Sequence, residues 1–311
     1  MSGRLVIGVD GGGTRTRAVI LDQAGAELGR AATGPALVDG RDLPIDIEGV
    51  VSTVQSAAMA ADIALPCAAL CGGFAGVGRE QERQAVEAAL AGHDLAAAVR
   101  VVTDAEAAFF DAFRAGPGLL MIAGTGSVAL GRAEDGRQAR VGGWGLLLGD
   151  EGSAYEIGLR ALRAIARSAD GRDEPTEMQA HFVAELSLIG PEDLIAWAAR
   201  AGKTTIAGLA PAVCDLAAAG DPAAVAIVSQ AVDSLAAHID ALLAQLGPWS
   251  APPRLALAGG LLAPDRPLRA SLAAAAAERR CVVLETQVAA VRGAALMALA
   301  GLVPGRGADS A

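Results

Sequence analysis

Two glycine-rich turns carry the residues of this sequence that could bind phosphate. Residues 11–14 (Gly-Gly-Gly-Thr) follow an apolar run that ends in Asp10, and residues 124–127 (Gly-Thr-Gly-Ser) follow a second apolar run. Glycine lets the backbone approach an anion closely and adopt positive φ, so several N–H groups can converge on one phosphate. We call these segments the first and second glycine turns. Their duplication, with an aspartate before the first, favours phosphate binding over two plain hairpin turns.

The spacing around these turns separates them from two other nucleotide-binding patterns. The first turn lacks the G-x-x-x-x-G-K-S/T pattern, which excludes a lysine-assisted hydrolase of the P-loop type. The second turn, within G-T-G-S-V-A, fits the G-x-G-x-x-A dinucleotide pattern. That pattern requires a helix directly after the turn, however, and the sequence predicts a strand and a hairpin there. We therefore disfavour a dinucleotide enzyme.

Asp10 would lie beside bound phosphates, where a carboxylate requires an intervening cation. Mg²⁺ keeps most of its waters and takes one or two carboxylates, so we expect Asp10 to order magnesium through water. The alternative is a carboxylate that is satisfied by N–H groups of the turn.

Asp104 follows a short apolar run and begins a helical pattern. Thr103 and Glu106 form a T-x-x-E capping box, which predicts that a helix starts here. A carboxylate at the end of a strand also suits the base that takes a hydroxyl proton in phosphoryl transfer, because α/β enzymes place their chemistry at strand ends. The two interpretations are compatible.

The elements that must position these residues alternate between strands and alanine-rich helices. In the first part we predict strands at 6–9, 16–21, 27–31, 67–74 and 99–104, and helices at 46–62, 79–91 and 105–113. From Gly118 the opening design of strand, glycine turn, strand, tight turn and strand repeats. We therefore predict two related domains, 1–117 and 118–311.

The second part continues mainly as helices. The patterns predict helices near 151–169, 175–188, 191–200, 205–219 and 222–246, strands at 254–260 and 281–285, and a last helix at 288–302. We expect that the last helix could pack back on the first domain.

Composition excludes several partners. With 53% hydrophobic residues among 311, the chain can bury two ordinary cores, and no stretch of about 18 uninterrupted apolar residues suggests a membrane span. The N-terminus does not resemble a signal peptide, so we expect a soluble cytoplasmic protein. The formal charge is −10, and without a stripe of basic residues we expect no nucleic-acid partner.

Cysteine and histidine chemistry is not expected. Cys67 and Cys71 should share one face of a buried strand, and they are interpreted as core residues rather than metal or redox groups. Cys214 and Cys281 are scattered along the chain. The three histidines, His93, His181 and His238, lack the HExxH spacing of a zinc site.

These motifs, in this order, resemble those of the sugar kinase, heat-shock cognate and actin ATPase superfamily. Its two phosphate motifs are similar to GVDGGGTRT and IAGTGSVA here, and its adenosine motif is similar to LALAGGLL at 255–262. Within it, residues 142–162, GGWGLLLGDEGSAYEIGLRAL, resemble the signature of the N-acetylglucosamine and glucosamine kinase family. That family shares ancestry with activator ATPases of acyl-CoA reductases and dehydratases.

The resemblance implies an α/β fold of two actin-like ATPase (ribonuclease H-like) domains with duplicated βββαβαβα topology, closing a cleft over sugar and MgATP. It implies an ATP- and Mg²⁺-dependent amino-sugar kinase that phosphorylates the 6-hydroxyl of N-acetylglucosamine or glucosamine, with a homodimer as a candidate assembly. The alternative is an activator ATPase that drives electron transfer through an iron–sulfur cluster shared by two subunits. Cys214 and Cys281 do not resemble the cysteine segments of that family.

The resemblance also implies roles for individual residues. Asp104 is the catalytic base and contacts the sugar, and Asp10 orders the magnesium. The nucleotide would be bound by Gly12, Gly13, Thr14, Gly124, Thr125 and Gly126 at its phosphates and by Gly259 and Gly260 at its nucleoside. The sugar would be bound by Ser127, Trp144, Gly145 and Asp150. From the residues alone, Asp150 could instead be the N-cap of the next helix.

Two apolar residues suggest a departure from strict N-acetylglucosamine kinases. Alignment by eye places Leu37 and Val128 where members of the family carry sugar-binding asparagines. Neither side chain can hydrogen-bond a hydroxyl, and an unpaired polar group in a closed pocket costs about 1–3 kcal/mol. We therefore expect weak binding of N-acetylglucosamine or a preference for another sugar, glucosamine first.

Overall fold

The structure, a computed structural model, describes residues 4–37 and 43–302. The chain divides into two compact units. Unit 1 contains Met1–Ala115 and Val288–Ala311, and unit 2 contains Gly116–Gln287. The C-terminal helix, Ala290–Leu302, therefore belongs to unit 1.

Unit 1 is built on a five-stranded mixed sheet. Its strands are β1 (Val6–Gly11), β2 (Thr16–Leu21), β3 (Glu27–Thr33), β4 (Ala69–Phe74) and β5 (Val99–Thr103). They are arranged in the order β3-β2-β1-β4-β5, with β1, β4 and β5 parallel and the first three strands antiparallel. The first glycine turn thus connects β1 to β2 at the carboxyl edge of the parallel strands.

Helices cover both faces of this sheet. They are α1 (Ile47–Ala60), α2 (Glu80–Ala91), α3 (Asp104–Phe113) and the C-terminal helix. Ile7 and Val9 point into the core shared with α1 and α2, while Val6 points into the core shared with α3 and the C-terminal helix. The inner strands β1 and β4 are apolar on both faces because neither face meets solvent, whereas the edge strand β3 is largely exposed.

Glycines let the C-terminal helix lie directly on the sheet. A Cβ atom on Gly8 of β1 would collide with the carbonyl oxygen of Val291, and one on Gly293 would collide with that of Ala107 in α3. Asp111 of α3, which is buried, accepts hydrogen bonds from the backbone N–H of Ala289 at 2.9 Å and from Arg292 at 2.8 Å. This helix is therefore an integral part of the core of unit 1.

Unit 2 repeats the sheet of unit 1. Its strands are β6 (Gly118–Ala123), β7 (Ser127–Arg132), β8 (Gln138–Gly142), β9 (Arg254–Ala258) and β10 (Val282–Val283). Their order, β10-β9-β6-β7-β8, is the order of unit 1 when each strand is replaced by its counterpart. The predicted α/β class and the duplicated strand order are confirmed, and the second glycine turn connects β6 to β7 as the first connects β1 to β2.

The helices of unit 2 lie mainly between β8 and β9. They are α4 (Ala154–Ala169), α5 (Glu177–Glu185), α6 (Leu194–Ala198), α7 (Lys203–Ala207), α8 (Ala210–Ala219), α9 (Pro222–Leu246) and α10 (Pro267–Glu278), with 3-10 turns at Pro191–Asp193 and Gly260–Leu262. Within the described ranges, α9 is long and apolar enough to cross a membrane by length and composition. It packs along β7 and β8, and its buried side chains, among them Leu235 and Ile239, form part of the core of unit 2.

Several local predictions differ from the structure. The strand expected over 281–285 contains only Val282 and Val283. Cys67 and Cys71 do not share a face, because Cys67 packs with the core under α1 and α2 and Cys71 packs with the opposite core. Regular strand geometry begins only at Ala69, so the period of two does not extend back to Cys67. All four cysteines are buried and free, as core residues would be.

Candidate functional site

The first glycine turn is an open loop that is fixed at its base. The N–H of Gly12 donates to the carbonyl oxygen of Arg15 at 3.1 Å, and the carbonyl of Gly12 accepts from the N–H of Ala36 at 3.0 Å. A Cβ on Gly12 would meet nothing within 4 Å, and Thr14 is exposed. No protein atom therefore fills the space beside Gly12, and the Thr14 side chain is open to solvent, as a ligand contact at this turn would require.

Asp10 stands just before this turn, opposite Arg17 on the neighbouring strand. Nη1 of Arg17 donates to Oδ2 of Asp10 at 3.2 Å. Burial raises the pKa of the Asp10 carboxyl above its ordinary value, and the Arg17 guanidinium opposes that rise. Burial therefore favours the neutral form of Asp10, and the ion pair with Arg17 favours the ionised form.

Asp10 and Asp104 share the carboxyl edge of the unit 1 sheet. Asp10 is paired with Gly73 across β1 and β4, and Gly73 is paired with Val102, two residues before Asp104. Two strand spacings separate β1 from β5 by about 10 Å. A Cβ on Gly73 would lie 2.9 Å from Cβ of Ala107 and 3.5 Å from Cα of Asp104. The absence of a side chain on Gly73 therefore lets the start of α3, which carries Asp104, pack closely against β4.

Asp104 is the first residue of α3. The predicted capping box is present: the Thr103 hydroxyl accepts from the N–H of Glu106 at 3.1 Å, and the Glu106 carboxylate accepts from the N–H of Thr103 at 2.8 Å. Oδ1 of Asp104 accepts from the N–H of Ala105 at 2.9 Å. Asp104 is thus a helix-start residue at the sheet edge, and its catalytic role stays a prediction that this position allows.

The second glycine turn is joined to the start of α4. The N–H of Gly124 donates to the carbonyl of Gly126, and the carbonyl of Gly124 accepts from the N–H of Ala154, both at 2.9 Å. The Ser127 hydroxyl, which is buried, donates to the carbonyl of Glu151 at 2.7 Å. These bonds fix the backbone of the turn, including Thr125, before any ligand arrives.

Asp150 is held by the same turn. Only 4% of the residue is exposed, and its φ of 61° lies in the left-handed region. Oδ1 accepts from the N–H of Ser127 at 3.1 Å, and Oδ2 accepts from Nζ of Lys203 at 2.6 Å. The alternative of an N-cap role is wrong, because the N-cap of α4 is Ser153, whose hydroxyl accepts from the N–H of Glu156. Sugar binding by Asp150 stays a prediction.

Lys203 is the residue that the sequence analysis missed. It is the only lysine of the chain, and that rarity was the available signal. Its partner Asp150 lies 53 positions earlier, so no local spacing could join the two.

The adenosine motif lies beside the second glycine turn. β6 and β9 are parallel neighbours, with Ile122 paired to Ala258. Gly259 follows with a φ of 93°, and a Cβ there would collide with the backbone of Ala123. Only glycine fits this position, both for its dihedral angle and for the close approach of the chains. Unit 2 therefore brings Gly259 and Gly260 together with the second glycine turn at one edge of its sheet.

The loop that contains Trp144 and Gly145, which we call the predicted sugar loop, borders a cavity of about 390 Å³ in unit 2. Trp144, Glu151 and His238 line it, and the Trp144 residue is 73% exposed. Gly145 follows Trp144 with a φ of 81°, which glycine adopts without strain. The lining combines apolar and polar side chains, and an exposed indole beside it is suited to packing against a ligand ring.

Leu37 and Val128 occupy different surroundings. Val128, half-buried on β7, is paired with Gly142, and its Cγ2 lies 3.1 Å from the position that a Cβ on Gly143 would take. It therefore borders the predicted sugar loop. Leu37, in unit 1, forms an isolated antiparallel β-bridge with Ile45. Their effect on sugar preference stays a prediction.

A magnesium ion at this site would need ligands from the nucleotide and from water in addition to the protein. Among residues 4–37 and 43–302, no group of three or more His, Cys, Asp or Glu side chains could hold a metal by itself. One carboxylate, that of Asp10, fits the way in which Mg²⁺ is usually bound, through waters and substrate phosphates.

Comparisons with known proteins agree with this arrangement. The N-acetylmuramic acid/N-acetylglucosamine kinase of Clostridium acetobutylicum is 32% identical over 269 residues, which cover 83% of this chain and 86% of that protein. The glucosamine kinase GspK of Vibrio cholerae is 29% identical over 243 residues, covering 76% of this chain and 79% of that protein.

A solved structure from Chromobacterium violaceum, provisionally named an N-acetylglucosamine kinase, matches with a TM-score of 0.77 at 29% identity, covering 96% of this chain and 99% of that one. A glucokinase from Streptomyces griseus shares the fold, with a TM-score of 0.57 at 19% identity over 94% of this chain and 99% of that one. The predicted actin-like ATPase fold is confirmed. The model of the BadF/BadG/BcrA/BcrD ATPase family matches residues 7–298, and the chain belongs to that family.

Proposed function

We propose that this protein is an ATP-dependent amino-sugar kinase that transfers the γ-phosphoryl group to the 6-hydroxyl of the sugar. The observation that carries the proposal is the placement of Asp10 and Asp104 at one sheet edge, with Gly73 between them and the first glycine turn alongside. Membership of an ATPase family and curated relatives named as amino-sugar kinases support it.

Phosphoryl transfer requires the protein mainly to align the reactants and to neutralise the phosphate charge. The sugar hydroxyl oxygen forms a bond to the γ-phosphorus as the bond from that phosphorus to the bridging oxygen breaks, and ADP leaves. Asp104 accepts the hydroxyl proton, for which an ordinary carboxylate at a strand end is suited. β4 lies between β1 and β5, so the strand ends that carry Asp10 and Asp104 are about 10 Å apart along one edge of the sheet.

Magnesium, when bound, would neutralise phosphate charge. Asp10 would hold it through water, since its carboxylate stands directly before the first glycine turn. Ionisation of Asp10 is opposed by burial and supported by Arg17, so the ion pair helps to keep the metal ligand charged.

The proposed substrate class is an amino sugar, with N-acetylglucosamine and glucosamine as first candidates. The curated relatives differ in the sugar that their names give, so these names support the class rather than one member. The cavity beside Trp144 supports binding of a sugar ring in unit 2.

The buried cysteines disfavour the alternative of an activator ATPase. Its cluster would need thiolates offered at a subunit interface. Cys214 and Cys281 are 8% and 6% exposed, and burial raises the pKa of both thiols. Neither is placed to offer a thiolate to a partner.

A coupled ADP-release assay tests the proposal. ATP turnover should require Mg²⁺ and one of glucosamine, N-acetylglucosamine, muramic acid or N-acetylmannosamine, with glucose as the sugar that lacks the amino group. Sugar binding promotes the closure that excludes water, so hydrolysis without sugar should be slow. Equal ADP release with and without sugar would contradict a kinase.

A further inference from the structure

We propose that Lys203 binds a phosphate of the nucleotide, with its ammonium group held at the second glycine turn by Asp150. The proposal rests on the proposed ATP-dependent function and adds a residue to that site. The other cationic side chains of the sequence are arginines, whereas Lys203 is its single lysine. A lysine ammonium is a compact charge on a flexible stem and binds phosphate as a point charge.

The position of Nζ is the first observation. It lies 2.6 Å from Oδ2 of Asp150 and 3.2 Å from the position that a Cβ on Gly126 would take. The ammonium therefore lies directly against the turn whose backbone is expected to contact phosphate. The Lys203 side chain is 31% exposed, so solvent, and hence a ligand, can reach it.

The way in which Asp150 is bound is the second observation. Its side chain is 5% exposed, and one oxygen is fixed to the N–H of Ser127 in the turn itself. The other oxygen is fixed to Lys203, so Asp150 connects the turn to the lysine through a buried carboxylate. Lysine has three N–H donors, and the bond to Asp150 uses one of them. The remaining donors can bind a second anion at the turn.

Charge explains why the turn would need this residue. Backbone N–H groups supply dipoles but no full positive charge, and the chain carries a formal charge of −10. The pair with Asp150 is neutral as a whole, so Lys203 would contribute a charged hydrogen-bond donor at the turn, and its ammonium is not left unpaired when the site is empty. The competing explanation is that Lys203 only compensates Asp150 and thereby serves a sugar contact.

Binding measurements separate these explanations. Lys203→Met and Lys203→Arg are compared with wild type for affinity towards ADP and towards adenosine, without sugar, by isothermal titration calorimetry. Arg200→Met removes a charge from an exposed residue three positions earlier and is the matched control. We expect Lys203→Met to weaken ADP binding by about ten- to a hundred-fold, the range for a hydrogen bond to a charged group. Adenosine binding should not change, Lys203→Arg should recover part of the loss, and the control should match wild type.

Lys203→Met leaves the Asp150 carboxylate buried without its cation and could therefore unfold the protein. A second pair of variants controls for this effect. Asp150→Asn removes that charge, and adding Lys203→Met to it should weaken ADP binding further. Equal ADP affinity with and without Lys203 in the Asp150→Asn background would overturn the proposal, because a loss seen only when Asp150 is present would come from its unpaired carboxylate. A raised KM for sugar with ADP affinity intact would also overturn it. Failure of wild type to bind ADP would instead contradict the proposed function.

Discussion

A methyl group at Gly73 should disturb the chemistry more than the fold. The added Cβ would lie 2.9 Å from Cβ of Ala107, whereas carbon atoms rest at about 3.5–4.0 Å. The start of α3 must therefore move by about 0.6–1.1 Å, carrying Asp104 with it. A displacement of about 1 Å of a catalytic group can cost about 10²-fold in rate. Gly73→Ala should lower kcat by about 10- to 100-fold.

The free energy of unfolding of Gly73→Ala should fall only moderately. One extra methyl in a packed site destabilises by about 1–3 kcal/mol, so the variant should fold and bind ATP. The assay is kcat at saturating ATP and sugar, with thermal unfolding of the same samples. Gly78→Ala, where a Cβ would meet nothing within 4 Å, is the matched control. A lowered unfolding temperature with unchanged kcat would show that the position of Asp104 does not limit the reaction.

Three further predictions concern single side chains. Burial raises the pKa of Asp10 and Arg17 opposes that rise, so Arg17→Met should raise the pKa of Asp10 further. The acidic limb of the pH–kcat/KM profile, measured at fixed Mg²⁺, should then move to higher pH. An unmoved limb would show that Asp10 does not set it. Burial raises the pKa of Cys71 to about 12. The native protein at neutral pH should therefore leave Cys71 and the other buried thiols unmodified by a disulfide reagent, whereas the unfolded chain should react fully; rapid native labelling would contradict their burial. Val128→Asn should raise kcat/KM for N-acetylglucosamine relative to glucosamine, and Leu37→Asn should do so less, whereas a strong wild-type preference for N-acetylglucosamine that neither change alters would show that other groups recognise the sugar.

Local patterns explain why much of the fold could be predicted. β1 and β6 are buried on both faces and therefore give continuous apolar runs, and glycine turns mark their ends. The third strands, β3 and β8, are mostly exposed and were visible through the tight turns before them. The capping box before Glu106 was also local, since it depends on residues three positions apart. Positions of Asp10 and Asp104 at strand ends followed from the same signals.

Contacts between distant residues could not be predicted in this way. Lys203 and Asp150 are 53 positions apart in the sequence, and only the folded chain brings them together. The opposite faces taken by Cys67 and Cys71 depend on where regular strand geometry begins, which spacing alone does not determine. The close approach of Gly293 to α3 likewise exists only in the packed core.

The most direct test of the proposed mechanism is sugar-dependent ADP release by wild type and Asp104→Asn, with ADP affinity measured on both. Removing the base should cut kcat by at least about 10²-fold, while ADP affinity stays nearly unchanged, because Asp104 acts on the hydroxyl proton rather than on the nucleotide. An Asp104→Asn variant that retains its kcat would contradict the mechanism and leave Asp104 as a helix-start residue only.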